Sequence, residues 1–283
     1  MTAAPSSGVL RAAVLQMTAG PEISANMDAV ADLLRQARDQ GAAFATLPEN
    51  VARMVQGRER VLAGAYEEEA HPALGRFRDL AVETGLWLMT GTLACLTEDG
   101  RAANRCFVID PSGQVLARYD KLHMFDVELA NGERYRESAT FRPGDTARVV
   151  DTPWGGLGLT VCYDVRFPQL YRALAKAGAR IITVPSAFTV PTGRAHWHVL
   201  LRARAIETGC WVLAPAQVGT HDGGRQTYGH ALIISPWGEV VADAGGEASG
   251  VLVADLDLSK VDEARSMVPS LLHDRAFGIN YTE

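Results

Sequence analysis

Short apolar runs alternate with amphipathic helical segments along nearly the whole chain, and this alternation most narrows what the chain can fold into. Residues 9–16, 44–47, 86–93, 104–110, 114–119, 157–161, 181–184 and 211–216 read as strands; 26–40, 72–84, 169–177 and 195–207 read as helices. Helix 26–40 puts Met27, Val30, Leu34 and Ala37 on one face, and Gly41 stops it, as Gly85 and Gly178 stop two later helices. A turn at Pro111-Ser-Gly113 joins 104–110 to 114–119, and Pro236-Trp-Gly238 closes a hairpin of 231–234 with 239–242. Strand 250–255 and a helix at 259–267 follow. Strands with helices between them give an α/β protein, a sheet system covered by helices. Periodicity leaves open whether there is one sheet or two.

With 283 residues, 47% of them apolar and 21% charged, the chain has ample material for one large domain, taken as 9–268 with a tail at 269–283. A net charge of -6 argues against nucleic acid or an anionic membrane as partner. Residues 1–10 lack the apolar core of a secretory signal, and no stretch approaches the ~20 apolar residues of a membrane helix. Cys95, Cys106, Cys162 and Cys210 show neither close pairing nor metal spacing, which points to a reducing cytoplasm.

Three strand ends carry chemistry. The run from Leu157 to Pro168 places Cys162 at a strand-to-helix turn, with Pro168 suited to the first position of the next helix. A cysteine there can act as a nucleophile, and a helix N-terminus with a cationic neighbour lowers a thiol pKa. Glu49 follows strand 44–47 and Lys121 follows strand 114–119. In α/β sheets such strand ends converge on one edge. A base, a cation and a nucleophile together suit acyl transfer.

Leu47-Pro-Glu49-Asn, Tyr119-Asp-Lys121-Leu-His and Val161-Cys-Tyr-Asp-Val-Arg-Phe-Pro168 resemble, in this order, the Glu–Lys–Cys triad segments of the nitrilase superfamily of carbon–nitrogen hydrolases. Four later blocks extend the resemblance: Gly193-Arg-Ala-His-Trp197, 201–207, Tyr228-Gly-His230 and Ser235-Pro-Trp-Gly238. The resemblance covers residues 10–261 and implies a four-layer α-β-β-α sandwich and an amidase needing no cofactor. Cys162 would attack an amide carbonyl. Glu49 would carry protons, a task asking for a raised carboxyl pKa, and Lys121 with the Tyr163 N–H would hold the oxyanion.

Glu137 matches a second family glutamate that positions substrate or water; a solvated surface residue is the alternative reading. Arg166 stands as a carboxylate clamp or as a structural ion pair. Phe188, in Ser186-Ala-Phe188, and Thr192 fall where the pocket wall is expected. These blocks resemble the deaminated glutathione amidase branch more than the ω-amidase branch, implying hydrolysis of deaminated glutathione to 2-oxoglutarate and cysteinylglycine. By the same resemblance, the helix after Cys162 and helix 195–207 would pair two copies as a homodimer. His196 and His198, two apart on a helix, point to different faces, so no metal is assigned. Two other readings stay open: a Cys–His hydrolase using His196 or His230, and a non-catalytic interaction protein.

Overall fold

The computed structural model describes residues 8–128, 132 and 134–281. Its helices are α1 (Ile23–Asp39), α2 (Arg58–Leu62), α3 (Pro72–Thr84), α4 (Pro168–Lys176), α5 (Val190–Thr208) and α6 (Ser259–Met267). The first sheet runs in the order Gln226–Tyr228, Ala216–Thr220, Val9–Met17, Phe44–Thr46, Trp87–Leu96, Ala102–Ile109, Val115–Asp120. Gly250–Asp257 also pairs antiparallel with Val9–Met17. The second sheet runs Val240–Asp243, Leu232–Ile234, Trp211–Ala214, Ala179–Thr183, Gly155–Leu159, Arg148–Thr152.

Side-chain alternation explains the layers. Successive strand residues face opposite ways, so each first-sheet strand feeds two cores. Ala13, Leu15, Met17, Leu88, Phe107 and Ile109 pack with Val30 and Leu34 of α1 and with Phe77 and Leu80 of α3. Ala12, Val14, Met89, Cys106 and Val108 turn the other way and meet Leu157, Leu159, Ile181, Leu213 and Ile233 of the second sheet. Beyond that sheet lie Leu170, Tyr171 and Leu174 of α4 and Trp197, Leu201 and Ala205 of α5. The architecture is therefore helix, sheet, sheet, helix. It resolves the question of one sheet or two.

Two departures from the strand pattern matter for the site. The run expected as one strand, 211–216, breaks at Pro215: Trp211–Ala214 belongs to the second sheet, while Ala216–Thr220 crosses to pair parallel with Val9–Met17 of the first. Proline has no N–H to give a ladder, so the chain leaves one sheet there and enters the other. Strand Trp87–Leu96 carries a register shift between Met89 and Thr92. Gly91, in the shift, has φ 70°, and a Cβ built on it would lie 2.0 Å from the Pro48 carbonyl oxygen. Glycine is what lets this strand pass beneath the segment that carries Glu49.

Candidate active site

Strands Phe44–Thr46 and Val115–Asp120 of the first sheet and Gly155–Leu159 of the second end on the same side of the molecule, and their following residues bring Glu49, Lys121 and Cys162 to one cavity of about 370 Å³. Glu137, Tyr163, Phe188 and Thr192 line the same cavity.

Lys121 is buried at its end. Its Nζ donates to Glu49 Oε1 at 3.0 Å and to the two Glu137 oxygens at 2.9 and 2.8 Å. Burial alone would push its pKa down; the charges of Glu137 and then Glu49 more than offset this and hold the ammonium above its ordinary value. Glu49 is anchored on every side. Its Oε1 also accepts from Asn104 Nδ2 at 2.9 Å, its Oε2 from the Ala187 N–H at 3.0 Å, and its carbonyl from Gln217 Nε2 at 2.9 Å. Asn104 reaches Glu137 Oε1 too, at 3.2 Å, and the Phe125 N–H donates to Glu137 Oε2 at 2.6 Å. Glu137 is thus tied into the cluster and is not a solvated surface group.

The turn that presents the thiol is held from below. Cys162 has φ 50°, a left-handed conformation that costs a non-glycine residue about 1–3 kcal/mol and persists only where the surroundings enforce it. The fully buried Asp164 supplies the enforcement. Its Oδ2 accepts from the Val161 N–H at 2.8 Å and the Tyr119 hydroxyl at 2.7 Å, and its Oδ1 from the His123 N–H at 3.0 Å. A short 3₁₀ turn, Cys162–Arg166, then leads to Pro168 at the first turn of α4.

Protonation differs from the sequence expectation in two respects. The Cys162 thiol is pushed up, not down: burial is the largest cause and the Glu49 carboxylate adds to it, outweighing Lys121 and the Ala187 N–H. Burial would raise Glu49 as well, but Lys121 and the neighbouring thiol outweigh it, and its carboxyl sits below the ordinary value. A resting thiol beside a resting carboxylate is the result. The proton stays on sulfur because two adjacent buried anions would repel each other.

Arg166 does not line the cavity. Its guanidinium lies 5.8 and 5.6 Å from the ring centroids of Tyr163 and Phe188, and its Nη2 is 3.3 Å from His196 Nδ1. Its contacts are with the two wall rings and with His196 of α5. Arginine does line the cavity elsewhere, as Arg53, Arg58, Arg134, Arg136 and Arg225. The Nε atoms of Arg53 and Arg225 are buried without a partner among the described residues. Arg53 and Arg225 sit on loops, Arg58 opens α2, and Arg134 and Arg136 share one short strand; no local motif joins the five. Asn104 and Gln217 escaped notice because each reads as an ordinary polar residue within a strand. Among the described residues, no histidine lines the cavity, so a Cys–His dyad is not assembled.

The model of the carbon-nitrogen hydrolase family matches residues 11–266. The chain belongs to this family. This carbon–nitrogen hydrolase is 42% identical over 269 residues to a deaminated glutathione amidase of Synechocystis, covering 93% of the chain and 97% of that protein. It is 40% identical to the deaminated glutathione amidase of Homo sapiens, covering 93% and 81%. Among solved structures, the Caenorhabditis elegans NitFhit protein superposes with a TM-score of 0.87 at 37% identity, over 95% of this chain and 65% of that one. An amidase from Nesterenkonia superposes at 0.77 with 30% identity, over 92% and 95%. A glutamate-to-glutamine variant of the Nesterenkonia amidase carries acrylamide added to its active-site cysteine.

Proposed function

We propose that this carbon–nitrogen hydrolase cleaves the amide of deaminated glutathione through a thioester on Cys162. The observation that carries the reading is an arginine-lined cavity closing on Glu49, Lys121 and Cys162. Deaminated glutathione bears a carboxylate at each end, and guanidinium groups are suited to carboxylates. Arg53 and Arg225, with buried nitrogen donors lacking partners, are the candidates to meet them.

As Sγ attacks the carbonyl carbon, the thiol proton passes to Glu49, so charge never accumulates on two adjacent anions. Lys121 Nζ and the Tyr163 N–H hold the developing O⁻; each such donor contributes roughly 2.7–4 kcal/mol. Collapse of the intermediate expels cysteinylglycine, whose amine takes the proton from Glu49. A carboxyl whose pKa is held down is a ready donor at that moment. Water, deprotonated by Glu49, then hydrolyses the thioester and frees 2-oxoglutarate. Glu137 keeps Lys121 in place throughout, and Phe188 and Thr192 shape the wall.

The test is turnover of deaminated glutathione against 2-oxoglutaramate, with intact-mass trapping of the acyl enzyme. Deaminated glutathione is expected to have the higher kcat/KM, and Cys162→Ala to abolish both turnover and adduct. Preference for 2-oxoglutaramate would sink the substrate assignment, and an adduct on Cys95, Cys106 or Cys210 would sink the nucleophile. The four free, buried cysteines support a reducing cytoplasm as the setting. A two-fold dimer through α4 and α5 is supported by Val199 and Ile206, which are 67% and 56% exposed on α5 opposite the buried Trp197 and Leu201.

A further inference from the structure

Away from the cavity, three segments remote in sequence bring nitrogen and oxygen donors together. His198 on α5, His230 after Gln226–Tyr228 and Asp243 at the end of Val240–Asp243 offer ligand atoms that all lie within 4.8 Å of one another. We propose that they form a binding site for a first-row divalent cation, with Zn²⁺ the favoured ion.

The geometry is the first argument. Bonds of ~2.0–2.1 Å at tetrahedral angles put neighbouring donors about 3.3 Å apart. His198 Nε2 and His230 Nδ1 stand 3.0 and 3.1 Å from the same carboxylate oxygen, Asp243 Oδ2. Two of the three edges are therefore already close to the required length, and the third, between the two imidazole nitrogens, lies within 4.8 Å. Without a metal, each histidine nitrogen donates its proton to Asp243; a cation replaces those protons and takes the lone pairs behind them.

The donor chemistry is the second. Two imidazoles and one carboxylate suit zinc-like ions and not Mg²⁺ or Ca²⁺, which take oxygen. The Asp243 carboxylate is held in place between the two imidazoles, its Oδ1 also accepting from the Gly245 N–H at 2.8 Å. All three side chains are roughly a quarter to a third exposed, which leaves a face open to water as a fourth ligand.

The third argument is that the donors are held in place. His230 has φ 55°; its carbonyl accepts from Trp197 Nε1 at 2.7 Å and its N–H donates to the Gly245 carbonyl at 2.8 Å. Its ring stacks on Tyr228 with centroids 4.4 Å apart. Tyr228 in turn lies against Gly193, where an added Cβ would come within 2.3 Å of the tyrosine ring. A bound ion would thus staple α5 to the segments that carry His230 and Asp243 and brace Thr192 on the cavity wall. The sequence comparison of His196 with His198 could not find this site, because the partners of His198 come from other strands.

Tag-free protein, stripped with a chelator, is titrated with Zn²⁺ calorimetrically and loaded with Co²⁺ for visible spectroscopy. One site per chain is expected, with four-coordinate Co²⁺ bands and no sulfur-to-metal charge transfer. His198→Gln and Asp243→Asn should each weaken Zn²⁺ binding by about tenfold or more, while Cys162→Ala binds as wild type. Circular dichroism checks that the variants fold, and if they do not, the wild-type Co²⁺ spectrum decides alone. Absence of stoichiometric binding, binding unaffected by His198→Gln, or a thiolate signature lost in Cys162→Ala would each overturn the proposal.

Discussion

At the residue scale, the charges of Glu49 and Lys121 make opposite demands on Cys162, and this yields separable outcomes. Glu49 raises the thiol pKa and Lys121 lowers it. Glu49→Gln removes the first influence and keeps the second, so alkylation by iodoacetamide at neutral pH should quicken while amide turnover is lost by about 10²-fold or more. Slower alkylation in that variant would contradict the protonation scheme. Lys121→Met tests the other partner. Removing one member of a buried pair costs about 3–5 kcal/mol. In the wild type Glu49 has a lowered folded pKa, so its contribution is present above the unfolded value and fades as pH falls through the folded one. Without Lys121, burial dominates and the carboxyl rises. The stability deficit in urea should then be largest at neutral pH and shrink on mild acidification; a deficit independent of pH would show that ion pairing was not its cause. That Glu49, Lys121 and Cys162 line one cavity was legible in the sequence because each follows a strand end. Asp164 was not, since in the sequence nothing separates a carboxylate that pins a turn from one that is solvated.

At the scale of elements, the long helices were placed by their amphipathic spacing, although α5 begins at Val190, five residues before the expected 195, and the short α2 was not expected. α3 and α6 begin and end where their proline, glycine and apolar spacing put them, at Pro72–Thr84 and Ser259–Met267. Strand Arg148–Thr152 and the short pair Asp126–Glu128 with Arg134–Arg136 were missed, being mixed in polarity and set by pairing partners and not by their own pattern. The crossing at Pro215 was hidden for a related reason: 211–216 is apolar throughout, and both sheets bury it. The bulge at Gly91 offers the sharpest test. Gly91→Ala should cost about 1–3 kcal/mol through overpacking, read as a lower Tm. Because the clash is with Pro48, kcat should fall further than instability explains, through displacement of Glu49. A variant with reduced Tm but unchanged kcat would show that the bulge serves folding alone.

At the scale of the whole molecule, the two-sheet sandwich buries every strand end near the site yet leaves α5 with apolar side chains in water. The proposed dimer would cover them. Light scattering should report twice the chain mass for the wild type, and Val199→Asp with Ile206→Asp should report a monomer that remains folded. A monomeric wild type at micromolar concentration would remove the dimer from the scheme. The face next to this one carries Arg172 and Lys176 of α4, both paired with Asp274 of the tail. Leu272, Phe277, Ile279 and Tyr281 of the tail are exposed as well.

The protonated state of Cys162 has a consequence for survival under oxidising stress. Peroxides attack thiolates, and a cysteine with a depressed pKa is carried to sulfenic and then irreversible sulfinic acid in step with its thiolate fraction. In the proposed mechanism the nucleophile stays a buried thiol until substrate arrives, and so it would offer peroxide very little to react with between turnovers. Inactivation by hydrogen peroxide should be slow at neutral pH, accelerate with rising pH, and be faster in binding assays of Glu49→Gln than in the wild type. The carboxylate proposed to start each catalytic cycle would then also be the guard on the sulfur between turnovers.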